Sequence, residues 1–85
     1  MTYDDVIKSA PAVLIEFYAT WCGHCQRMEP VVEDIKTLLS GEVQLYQLDI
    51  DENRDVADEQ HIEGTPTFIL YKNGEEVWRL SGEID

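Results

Sequence analysis

Basic residues are scarce in this chain: six Lys and Arg stand against 18 Asp and Glu, a formal net charge of −12 over 85 residues. A polyanion would be repelled by such a surface, so nucleic acid is excluded as a partner, and the charge is spread along the sequence as a solvated face rather than gathered into a tail. Long apolar runs are missing as well. The longest, residues 10–15, falls far short of the roughly 20 residues that a bilayer-spanning helix needs. Met1-Thr2-Tyr3-Asp4-Asp5 supplies neither the basic nor the apolar part of a secretory leader. A soluble, cytoplasmic protein with no membrane partner is expected. Cysteine is limited to two residues, too few to staple a secreted scaffold. No Ser/Gly/Pro-rich tract or internal repeat interrupts the chain. With 44% hydrophobic residues it can close one core but not divide it, which predicts a single domain over residues 1–85.

What is present alternates between helix and strand patterns. Residues 4–9 read as a short helix that Pro11 ends. Ala12-Val13-Leu14-Ile15-Glu16-Phe17-Tyr18 is β-branched, aromatic and almost continuously apolar, as a central strand covered on both faces would be. From residue 23 to residue 39, Met28, Val31, Val32, Ile35, Leu38 and Leu39 recur at helical spacing. Ser40-Gly41 should stop that helix, and Pro30 inside it predicts a kink about two turns from its start. Residues 43–48 read as a second strand and residues 53–60 as a short helix with Asp or Asn available to cap it. Residues 67–71 and 76–80 form two further strands joined through Asn73-Gly74, the strongest short hairpin signal. The order α-β-α-β-α-β-β makes the first two strands parallel around a helical crossover and the last pair antiparallel.

Trp21-Cys22-Gly23-His24-Cys25 follows the buried strand and opens the long helix. A sulfur at a helix N-terminus is stabilised as thiolate, so Cys22 should ionise more readily than a free thiol, with Cys25 one turn further in and more deeply buried. Their spacing brings the sulfurs within bonding reach, so Cys22 can attack a substrate disulfide and Cys25 can resolve the product. Paired cysteines also hold zinc, but two more ligands are then needed and only His24 and His61 are available, His24 awkwardly between the cysteines. A redox pair with neither bound metal nor organic cofactor is therefore the reading. A peptide-binding module that does not turn over is the alternative from another class. Residues 49–60 fail as a calcium loop, because Arg54 stands where glycine is needed.

Glu16 interrupts the apolar strand, where desolvation should raise its pKa and make it a proton acceptor, unless it is an edge carboxylate reaching solvent. His24 can donate to the thiolate or carry positive charge beside it; its plainer role is an exposed polar residue. His61 reads as a favourable residue at a helix C-terminus.

The series Val13-Leu14-Ile15-Glu16-Phe17-Tyr18-Ala19, Trp21-Cys22-Gly23-His24-Cys25, Pro30, Ile50-Asp51, Gly64-Thr65-Pro66-Thr67, Lys72-Asn73-Gly74-Glu75 and Gly82 resembles the thioredoxin family. The Cys-Gly-His-Cys sequence is typical of its protein disulfide isomerase branch, most thioredoxins having Pro at the position of His24. The resemblance implies an α/β minimal thioredoxin fold, a mixed central sheet of about four strands flanked by helices without the usual first strand and last helix. It implies a thiol-disulfide oxidoreductase that reduces, forms or exchanges disulfides in protein substrates and is recycled by a thiol reductase or an oxidant. It further implies a cis Thr65–Pro66 bond against the cysteine pair and a Thr65 backbone that pairs with an extended substrate segment. Trp21, Gly23 and Ile62 would complete a shallow apolar docking surface, with Ile62 equally readable as core. Glu16 would lie beneath the pair and help to deprotonate Cys25. Two departures stand out: Gln47 occupies the place of a Lys that usually pairs with the buried acid, and the match ends at Gly82-Glu83-Ile84-Asp85. The second leaves one sheet face undercovered, so a weak homodimer through Trp78 and Leu80 is expected.

Overall fold

The apolar run Ala12–Tyr18 forms β1, and five consecutive residues within it are buried. The structure, a computed structural model, describes residues 1–39 and 41–82. Around β1 stand α1 (Tyr3–Ile7), α2 (Gly23–Leu38), β2 (Gln44–Asp49), α3 (Arg54–Glu59), β3 (Thr67–Lys72) and β4 (Glu75–Ser81). The sheet order is β2-β1-β3-β4. β1 runs parallel to β2, with Glu16 beside Gln47, and antiparallel to β3, with Glu16 beside Phe68.

The near-continuous apolar pattern of β1 follows from this central place. Val13, Ile15 and Phe17 point to one face, where they meet Ile69 and Tyr71 of β3 and Ile7 of α1. Leu14 points to the other, where Phe68 joins Met28 and Val32 of α2. Each fully buried side chain of this size contributes about 1.5–3 kcal/mol, so the two faces together hold the sheet between its helices. By the alternation of a strand, Glu16 lies on the face that α2 covers.

Local rules account for the element ends. Thr2 begins α1 one residue before the expected start, because its Oγ1 accepts from the Asp5 N–H at 3.1 Å while Asp5 Oδ2 accepts from the Thr2 N–H at 3.1 Å, a reciprocal box with Asp in the usual Glu place. α2 continues through Pro30 as one helix. Asn53 precedes α3 but makes no capping bond; its side-chain amide donates instead to the Asp49 carbonyl at 2.9 Å. At the other end of α3, the Ile62 N–H reaches Ala57 O and the His61 N–H reaches Asp58 O, with His61 in the left-handed region at φ 57. This is a Schellman ending with histidine where glycine is usual, and it places His61 just past the C-terminus of α3. Asn73 and Gly74 both have positive φ, 52 and 83, as a two-residue type I′ hairpin requires.

Trp78 and Leu80 pair with Leu70 and Phe68, extending the α2 face of the sheet to its edge, where Trp78 is 44% exposed. Among the described residues no strand precedes α1 and no helix follows β4. Of the expected helix stop at Ser40-Gly41, Ser40 lies outside the described residues, as do Glu83, Ile84 and Asp85 at the end of the sequence match. Among the described residues no helix is long and apolar enough to cross a membrane.

Candidate active site

β1 delivers the chain to a tight turn in which the Cys22 N–H donates to the Ala19 carbonyl at 3.2 Å. Cys22 is the N-cap of α2, in extended conformation. Its sulfur accepts from the Cys25 N–H at 3.1 Å, taking the place that a Ser or Asp oxygen usually fills at a helix start. The thiol also donates to the Thr65 carbonyl at 3.5 Å. Burial pushes the Cys22 pKa up, but its hydrogen bonds with the Cys25 thiol and with Thr65, and those from the backbone N–H groups of Cys25 and His24, outweigh it, and the net shift is downward. For Cys25, burial and then the hydrogen bond with Cys22 push the pKa up. Both sulfurs are reduced and free. Both cysteines are buried, Cys22 6% and Cys25 7% exposed, and the Thr65 carbonyl lies against the first sulfur.

The cysteines face different spaces. Cys22 lines a shallow groove of about 380 Å³ with Trp21, Gly23, His24, Ile50, Ile62, Glu63, Gly64 and Thr65. Trp21 is 68% exposed, yet its indole N–H donates to Asp51 Oδ2 at 2.7 Å, and Asp51 is also held by Arg54 at 3.3 Å. Nothing in the sequence beyond the family resemblance of Ile50-Asp51 points to this bond, since the two residues lie 30 apart and no spacing rule links them. Ile62 packs against the main core and also lines the groove, so its two readings coincide. His24 is exposed on the first turn of α2. The Thr65–Pro66 peptide is cis, and Pro66 is fully buried.

Cys25 opens on a second cavity, of about 300 Å³, which it shares with Glu16, Tyr18, Ala19, Thr20, Gln26, Glu29 and Gln47. Glu16 is 2% exposed at the middle of the central strand, so the edge-carboxylate alternative does not hold. Gln47, opposite it on β2, donates Nε2–H to Glu16 Oε1 at 2.7 Å, a neutral hydrogen bond where a lysine would make an ion pair. Burial pushes the Glu16 pKa up, the Gln47 bond pulls it down, and the nearby Glu29 pushes it up; the net shift is upward. Among the described residues no group of three or more His, Cys, Asp or Glu side chains is arranged to hold a metal ion.

A reduced cysteine pair at a strand-to-helix junction, beside a cis-proline loop, is the arrangement of a thiol-disulfide protein. The thioredoxin family model matches residues 1–85, and the chain belongs to the thioredoxin family. It is 37% identical over 84 residues to thioredoxin Y, chloroplastic, of Oryza sativa subsp. japonica, a match covering 98% of this chain and 50% of that protein. It is 38% identical over 80 residues to thioredoxin-1 of Saccharomyces cerevisiae, covering 94% of this chain and 77% of that one. The chain thus spans about half the length of the chloroplastic relatives it matches. Among solved structures, the oxidized form of mitochondrial thioredoxin 3 from Saccharomyces cerevisiae superposes with a TM-score of 0.89 at 34% identity, covering 94% of this chain and 74% of that one. Thioredoxins are protein-disulfide oxidoreductases that work through the active-site dithiol and need no external cofactor.

Proposed function

We propose that this chain is a thiol-disulfide oxidoreductase acting on disulfides of protein substrates through Cys22 and Cys25, with residues 1–85 as a single thioredoxin-like domain. The observation that carries the reading is the placement of the pair: the Cys22 sulfur caps α2, accepts from the Cys25 N–H at 3.1 Å and lies against the Thr65 carbonyl of the cis-proline loop, and the two thiols are displaced in opposite directions, Cys22 toward thiolate. In the reducing direction the Cys22 thiolate attacks a substrate disulfide; one substrate sulfur leaves and takes up a proton, and a Cys22–substrate mixed disulfide remains. Glu16 accepts the Cys25 proton, the Cys25 thiolate attacks Cys22 sulfur, and the second substrate sulfur leaves and is protonated. The substrate gains two electrons, and the protein dithiol becomes the Cys22–Cys25 disulfide. Trp21, Gly23, Ile62 and the Thr65 backbone beside Pro66 receive an extended substrate segment, supported by their shared lining of the groove at Cys22.

His24 donates a hydrogen bond or a positive charge to the Cys22 thiolate and stabilises the reduced form, the isomerase-like element of the site. A thiol reductase or an oxidant recycles the pair, and a cytoplasmic setting, where thiols are kept reduced, suits the reducing direction. Weak pairing of two copies across Trp78 and Leu80 belongs to the same reading; the exposure of Trp78 supports it, and the net charge of −12 opposes it. The test is reduction of insulin disulfides with dithiothreitol as recycling reductant. The parent protein accelerates it and Cys22→Ser does not; equal rates with and without Cys22 would overturn the reading.

A further inference from the structure

The cavity at Cys25 carries two carboxylates, Glu16 on β1 and Glu29 on α2, bridged by no cation. Each element around it contributes a named group: Tyr18 from β1, Cys25 and Glu29 from α2, and from β2 only the neutral amide of Gln47. No Lys, Arg or His lines it among the described residues. Glu16 is held by the 2.7 Å bond from Gln47, and the polar side chains that share its cavity include this neutral donor and a second carboxylate rather than a cation. Glu29 is exposed on α2, whereas Glu16 is 2% exposed and lines the same cavity.

We propose that Glu29 is a positioning residue for the resolving step: as the second carboxylate on the cavity that Glu16 and Cys25 share, it favours the protonated form of Glu16 and so sets the pH at which Glu16 can take the Cys25 proton. This rests on the redox reading above and adds to it the residue that governs its pH range. A like charge facing a poorly hydrated carboxylate disfavours ionisation, and the direction found for Glu16 includes that contribution. Glu29 acts through Glu16.

Both chemical steps can be followed in one trace with an aromatic disulfide whose thiolate absorbs visible light. The first thiolate released reports attack by Cys22, and the second reports resolution by Cys25. In Glu29→Gln the lower pH limb of the second release moves to lower pH by roughly half a unit, about a threefold faster resolution below its midpoint, while the first release keeps its parental profile. Glu29→Asp, which keeps the charge, retains the parental limb, and Glu16→Gln removes the limb, leaving only direct ionisation of the Cys25 thiol at higher pH. An unmoved limb in Glu29→Gln with the limb removed in Glu16→Gln overturns the role of Glu29 alone. A limb that survives Glu16→Gln overturns Glu16 as proton acceptor and the role of Glu29 with it.

Discussion

Gln47→Lys restores a cation beside Glu16, and its effect on stability can be worked out with its sign. Glu16 is 2% exposed and accepts a 2.7 Å bond from a residue that is itself solvent-facing. Two unit charges about 4 Å apart interact by about 4 kcal/mol at the effective dielectric near a protein surface and by about 1 kcal/mol in water. A pair with one buried and one hydrated partner falls between, near 2 kcal/mol, and the amide bond it replaces was worth about 1 kcal/mol. The net gain is about 1 kcal/mol, roughly 4–8 °C in melting temperature for a chain of this size. Burial raises the Glu16 pKa in the folded state, so the native form binds that proton more tightly than the unfolded chain. Its stabilising effect is fully present below the unfolded carboxylate value of about 4.3 and is lost as pH rises through the folded value. The new ammonium lowers the folded value and recovers part of that loss, so the gain is smallest below the unfolded value of about 4.3 and grows as pH rises through the folded value. Urea unfolding across this range measures it. A double-mutant cycle with Glu16→Gln removes the general benefit of adding a positive charge to an acidic protein. A coupling that does not change with pH, or that turns unfavourable as pH rises, would show that the Glu16–Gln47 contact does not control ionisation of the buried acid.

Other substitutions probe single features. His61→Gly relieves a side chain held at φ 57 and should stabilise the protein by up to about 1 kcal/mol, read by thermal unfolding; a loss of stability would mean that the imidazole makes contacts worth more than the strain. His24→Pro should raise the Cys22 pKa, followed by thiolate absorbance against pH, and make the potential more negative. Couples of this kind lie between about −270 mV for thioredoxin and about −180 mV for the isomerase, and equilibration with glutathione buffers places parent and variant on that scale. If neither quantity moves, His24 is only an exposed polar residue.

Much of the architecture was legible because local patterns and the tertiary structure agree. β1 could be placed in the centre since both its faces are filled, which erases alternation, and the hairpin could be placed since Asn73-Gly74 tolerates two successive positive φ angles. Cys22 and Cys25 were legible for the same reason: their spacing and the helix start are encoded within a few residues. Features that depend on distant partners were not. The Trp21–Asp51 bond spans 30 residues, the cover that Thr65 places over Cys22 comes from 43 residues away, and the approach of Glu29 to Glu16 requires α2 to lie across β1. Asn53 misled because its side chain has a competing acceptor in the Asp49 carbonyl, and the left-handed turn at His61 was hidden because no glycine marks it.

The most direct measurement is covalent trapping with single-cysteine variants, since the sulfur that caps α2 should attack and the sulfur beside Glu16 should release. A protein disulfide presented to Cys25→Ser should accumulate as a mixed disulfide through Cys22, identified by nonreducing electrophoresis and mass spectrometry, while Cys22→Ser traps little. Trapping that proceeds equally through Cys25 in the Cys22→Ser variant, or in neither variant, would contradict the assignment of the two sulfurs.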